Sequence, residues 1–204
     1  MKVVVIGAHL HRTDIEPLAE AVPAGALWLS GISVDDNQPL GDRDLLLRVA
    51  NVRAALLERA TFVAIRYGFA ADVAKVAPYL AKWQQLLEAH RGHVEMTLKV
   101  AAAAPLPRPD RRDYASGAGY LRALHASAAE IDPRFREAAE ARIGGIERRW
   151  TPRDNASVEM AALVERADVA RVIEAGQSLK RDFPEVPFLL SGPWPLEVFA
   201  DDHQ

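Results

Sequence analysis

Polar and apolar positions alternate along the chain with two periods. Lys2–Gly7 is a β-branched run and Ala26–Ser33 (ALWLSGIS) a second apolar stretch of strand length; both predict strands. After Gly41, Asp42 stands where it would cap a helix. The apolar positions that follow, Leu45, Val49, Val52 and Leu56, share one face, with Arg43, Arg48, Arg53 and Glu58 among the polar ones. Thr61–Arg66 (TFVAIR) predicts a strand ended by Tyr67-Gly68. A helix is expected over 72–90, striped by Val73, Val76, Leu80, Trp83 and Leu87. Pro78 interrupts it without breaking the phase, which predicts a kink or a restart. Gly92 ends it. In His93–Val100, Val94, Met96, Leu98 and Val100 alternate with Glu95, Thr97 and Lys99, the pattern of a half-buried strand.

The stretch Ala101–Asp113 (AAAAPLPRPDRRD) breaks every period with three prolines and a run of charges, and marks a linker or long loop. Beyond it, Gly119–Ile131 and Pro133–Trp150 read as helices. The first carries Tyr120, Leu121 and Leu124, the second Phe135, Ala139, Ile143 and Ile146, with Pro133 suited to a first helical turn. Ala156–Val164 is a weak strand and Asp168 a cap for a helix striped by Val169, Val172, Ile173 and Leu179. Pro187–Ser191 is a short strand, Gly192-Pro193-Trp194-Pro195 a rigid turn, and Leu196–Ala200 a final apolar segment. The expected organisation is α+β: two small α/β sandwiches, residues 1–103 and 104–204.

Composition narrows the function classes. Half of the 204 residues are apolar, enough for a sizeable core. A net charge of −3 and a pI near 6.1 disfavour a general nucleic-acid binder, which needs a concentrated basic face. The arginines are dispersed apart from Arg108, Arg111 and Arg112 and the pair Arg148 and Arg149, which read as solvated surface. No cysteine is present, so disulfides and thiolate metal sites are excluded, in keeping with a reducing cytosol. The N-terminal apolar run is too short for a signal or a span, and no later run approaches about 18 apolar residues. A soluble intracellular protein without membrane or nucleic-acid partners is expected.

Local signs of chemistry are few. His9 and His11 would share one strand face, and His90 and His93 straddle a helix end with Glu95 two residues on; a metal site would need three or more such ligands held by further contacts. Surface histidines near turns are the plainer reading. Ser116-Gly117-Ala118-Gly119 opens a helix and would present amides to an anion, but it lacks the P-loop lysine and dinucleotide spacing. No nucleophile elbow, H-E-x-x-H or paired-carboxylate pattern appears. Trp194, between two prolines, either locks the C-terminal strand onto its domain or offers a partner an aromatic anchor; locking is the expectation, since a terminal edge needs tying down.

Three stretches together resemble the GvpL/GvpF family of gas vesicle proteins. Ile65-Arg66-Tyr67-Gly68, with Gly92-His93-Val94-Glu95 and Lys99-Val100 after the next helix, is similar to that family's apolar–Arg–aromatic–Gly turn and its Gly-x-x-Glu strand ending in Lys-Val. Ser116 to Tyr120-Leu121 resembles the small-residue–Tyr-Leu start of its long helix, and Gly192-Pro193-Trp194-Pro195 its C-terminal Gly-Pro-Trp-Pro. The chain departs from the family at Ala64, where a proline is usual, and at Leu196-Glu197-Val198-Phe199, where Pro-Tyr-Ser-Phe is common. The resemblance implies a ferredoxin-like N-terminal domain and a C-terminal domain of long helices and a small sheet. It further implies a cytoplasmic or vesicle-associated protein that builds gas vesicles by contacting the small hydrophobic shell protein and other accessory proteins, with no catalytic residue, metal or cofactor. The alternatives are a cytosolic interaction domain unconnected with vesicles, which the altered residues Leu196–Val198 motivate, and a metal-dependent enzyme on a ferredoxin-like sheet.

Overall fold

The computed structural model describes residues 2–66, 75–101, 110–126, 131–152 and 156–201, with the backbone alone at 121, 122, 124–126 and 201. The chain divides into two compact units, Met1–Val94 with Trp194–Gln204, and Glu95–Pro193. This division differs from a boundary at 103/104. It gives most of one strand to the second unit and returns the C-terminal segment to the first. Residues 102–109, on which the expected linker falls, lie outside the described residues.

In the first unit, β1 (Lys2–His9) and β3 (Leu27–Val34) form the middle of a four-stranded sheet, with β2 (Glu20–Ala24) beside β3 and β4 (Phe62–Ala64) beside β1. All three pairings are antiparallel, and the order β2-β3-β1-β4 is the ferredoxin-like one. The connection from β1 to β2 carries no helix. Ile15 and Ala19 from that loop are buried instead in the same cluster as Leu45, Val49, Val52 and Leu56, so two loop side chains stand in for the missing crossover helix. Those four leucines and valines come from α1 (Arg43–Arg59), whose Asp42 side chain accepts from the Leu45 amide, as the pattern predicts. β1 is buried on every residue from Val4 to His9, the signature of a strand covered on both faces. α2 (Leu80–Ala89) packs against β1 and β4. A 3₁₀ turn at Ala77–Tyr79 with Pro78 inside it precedes α2, which is the expected restart.

The second unit runs β5 (His93–Ala101), α3 (Gly117–Ala126), α4 (Pro133–Ile143), β6 (Glu147–Pro152), β7 (Ser157–Glu165), α5 (Val169–Asp182) and β8 (Phe188–Trp194). Its sheet order is β6-β7-β5-β8. Counted within each unit, both sheets read second-third-first-fourth, so the second sheet has the ferredoxin-like order too. Among the described residues its helices have 10 to 14 residues. Met96, Leu98, Phe135, Ala139, Ile143, Met160, Ala162, Val172 and Leu179 form its core.

Two expectations fail here for stated reasons. The helix expected to reach Trp150 stops at Ile143, because Gly144 and Gly145 adopt φ of 69° and 100°, which helices exclude and glycine tolerates. Ile146, placed on the buried stripe by the pattern, is 60% exposed, and Glu147–Pro152 pairs antiparallel with β7. Ile173, also assigned to a stripe, is exposed, while Val172 and Leu179 on the same helix are buried.

Candidate functional site

β4 is three residues long, and the segments carrying two of the three motif stretches meet around it. Thr61, just before it, donates its hydroxyl to the His93 carbonyl and accepts from the Gly92 amide, each at 3.0 Å. Ile65, just after it, donates its amide to the Ile6 carbonyl at 2.9 Å. The Ile65 carbonyl accepts from the Arg53 guanidinium of α1 at 2.8 Å. Arg66 follows and is exposed. On the outer side, the Leu196 amide donates to the Phe62 carbonyl at 3.0 Å, and Leu196 forms a parallel bridge with Val63. Pro195, Leu196, Phe199 and Ala200 are buried, the last two on α6 (Val198–Asp201). Arg53 lies 3.8 Å from the Glu197 carboxylate, a half-exposed pair that adds little. The site holds three distant chain segments together by backbone pairing and apolar burial.

Leu196, an altered position of the C-terminal motif, and Phe199, where the family's phenylalanine is kept, do the tying that the sequence pattern gave to Trp194. The indole is 46% exposed. Only the i, i+3 spacing of Leu196 and Phe199 signalled this beforehand, and Arg53 gave no signal because its chemistry is a contact with a carbonyl far along the chain. Trp194→Ala is therefore expected to lower stability by about 1 kcal/mol, well short of the roughly 3–5 kcal/mol of a buried tryptophan. A thermal scan measures it.

The remaining motif residues sit in the second unit. Gly192 has φ of 125°, and a Cβ there would lie 2.9 Å from the Glu95 carbonyl oxygen, so the motif glycine lets β8 close on β5. Lys99 is exposed. Glu95, expected on the solvated face of β5, is 1% exposed, whereas Thr97 and Lys99 further along the same face are progressively more open. The Tyr120 ring lies 6.0 Å from that of Tyr114 and beneath Arg111, while Ser116 caps α3 by accepting from the Gly119 amide. Tyr67, Gly68 and the side chain of Leu121 lie outside the described residues.

The histidines do not assemble as ligands. Among the described residues no three His, Asp or Glu side chains gather where a metal ion would fit. His9 is fully buried, with Nδ1 2.6 Å from the His11 carbonyl and Nε2 2.8 Å from the Ser30 hydroxyl. A carbonyl only accepts, so Nδ1 carries the proton and Nε2 accepts from Ser30. His90 and His93 meet edge to face at 6.2 Å. Burial pushes the His9 pKa below its ordinary value, with the His11 carbonyl opposing. The unfolded chain then takes up a proton near pH 6.5 while the folded one resists it. Stability is thus expected to fall as pH drops below about 6.5. Melting temperatures between pH 7.5 and 5.5 should show a steeper decline for the native chain than for His9→Gln.

By sequence, neither a family model nor a curated protein matches the chain. By structure it is similar to solved gas vesicle proteins. GvpF from Microcystis aeruginosa superposes with a TM-score of 0.68 at 12% identity, and GvpF from Anabaena sp. PCC7120 with 0.66 at 11%; each comparison covers 98% of both chains. The chain therefore has the α+β fold of the GvpF gas vesicle proteins, from its first strand to its C-terminal segment.

Proposed function

We propose that the chain is a gas vesicle protein of the GvpL/GvpF type, an assembly or minor structural component that binds the hydrophobic shell protein. The observation that carries this reading is the likeness to two GvpF structures over 98% of each chain, joined to the motif residues that gather at β4. A shell subunit exposes apolar surface until it packs, and a binding partner lowers its tendency to aggregate. The role is structural, with no catalytic residue or cofactor, and its place is the cytoplasm and the vesicle. No helix among the described residues is long and apolar enough to cross a membrane. Of the altered residues Leu196–Val198, Leu196 has a local account, since it is buried beside β4.

Co-purification with the shell protein tests the reading. Association at micromolar concentration is expected, through the first unit; its absence would count against the proposal. A cut near 105–110 would strip residues 194–204 from that unit, so the contact is best mapped with surface substitutions in the full chain. Trp194→Ala belongs among them, because a half-exposed indole between two prolines is a rigid apolar projection.

A further inference from the structure

Each sheet has two edge strands, and three of the four are guarded. β2 carries Glu20 and Pro23. β4 is three residues long and bears Leu196 on its outer side. β6 carries Glu147, Arg148, Arg149 and Pro152. Charges, prolines, brevity and covering segments are the means by which proteins stop edges from pairing with other chains. β8 differs. Its residues, Phe-Leu-Leu-Ser-Gly-Pro-Trp, include no charge, and its proline, Pro193, falls by alternation on the side of β5 rather than on the open edge. Among the described residues it stands at the end of the order β6-β7-β5-β8, and Leu189 on it is 63% exposed.

The strand is also self-complementary. Pro187 and Pro193 stand three residues either side of Leu190, so an antiparallel copy centred on Leu190 sets proline against proline at both ends. The Pro187 carbonyl accepts from the Ala101 amide of β5. Backbone groups alternate along a strand, so those of Phe188 and Leu190 face away from β5. In the centred register Leu190 meets Leu190 of the copy as a hydrogen-bonded pair, and Leu189 meets Ser191 as a non-hydrogen-bonded one. No charge is buried, and the residues facing outward, Phe188, Leu190 and Gly192, all carry an amide proton.

We propose that β8 is a dimerisation edge, pairing antiparallel with β8 of a second copy about a two-fold axis at Leu190. A two-fold contact uses one patch twice and closes on itself, which removes the exposed edge without starting a fibre. The sheet of the second unit would continue across the pair as eight strands.

The absence of cysteine gives a clean test in the full chain. In the centred register Leu189 and Ser191 of opposite copies have Cα atoms about 4.5 Å apart, within disulfide range. Mixing Leu189→Cys chains with Ser191→Cys chains under mild oxidation should give a covalent heterodimer, and sedimentation of the native chain should show a dimer. Leu189→Lys, at a position already open to solvent, should weaken self-association by about five- to tenfold with an unchanged melting temperature. A native chain that stays monomeric at about 100 µM with no cross-link would overturn the proposal. So would a dimer that ignores Leu189→Lys and forms no cross-link, since it would use another face.

Discussion

Replacing Phe199 by Ala is expected to destabilise the first unit by about 3–5 kcal/mol, the range for a fully buried aromatic side chain. Leu196→Ala should cost about 2–5 kcal/mol on the same grounds. Both side chains are fully buried, and both belong to a segment that meets β4 through the Leu196 amide and a bridge to Val63. Burial of two large apolar side chains is the part of that attachment a truncation to Ala removes. Whole domains are stable by only about 5–15 kcal/mol, so either change removes a large share. Differential scanning calorimetry is the measurement. Truncation after Trp194 should reproduce the loss, whereas a chain split at 103/104 would lose the same contacts without any substitution. If Phe199→Ala melted within a degree or two of the native chain, the C-terminal segment would not be part of the first unit.

How much of this was legible beforehand depends on the range of the interaction. α1 was readable because its stripe and its Asp42 cap are local: a 3.6 period and one side chain three residues from its amide partner. β5 was readable for the same reason, through the alternation of Val94, Met96, Leu98 and Val100. β2 was missed because Glu-Ala-Val-Pro-Ala has no strand composition; β3 forces it into the sheet, pairing Glu20 with Gly31 through to Ala24 with Leu27. β6 was missed because Gly144-Gly145 was read through as helix, although two adjacent glycines are a stop signal. The site divides in the same way. Arg66 and Gly92 stand out as motif residues, yet the contacts around β4 use Thr61, Arg53 and Leu196, which are distant in sequence and ordinary in composition. Trp194 was assigned to the wrong side of the surface, because flanking prolines fix a direction without revealing which one.

Gly192→Ala is expected to cost the second unit about 2–6 kcal/mol, through two effects that add. The backbone at Gly192 has φ of 125°, a region that an L side chain enters only with strain of about 1–3 kcal/mol. The new Cβ would also meet the Glu95 carbonyl oxygen at 2.9 Å, the Met96 sulfur at 2.8 Å and the Met96 Cα at 3.3 Å. The sulfur ends a flexible side chain and can swing aside, but the carbonyl and the Cα belong to β5, in the middle of its sheet, and moving them disturbs pairing on both sides. Overpacking of that kind typically costs about 1–3 kcal/mol. Gly25 is the internal control: it also has positive φ, 62°, but nothing stands within 4 Å of a Cβ there. Gly25→Ala should therefore show backbone strain alone, in the milder left-handed region, and the difference between the two variants, measured by urea titration, sets an upper bound on the cost of the close approach of β8 to β5. Equal losses would mean that the motif glycine serves backbone conformation and that the contact with Glu95 and Met96 has room to give.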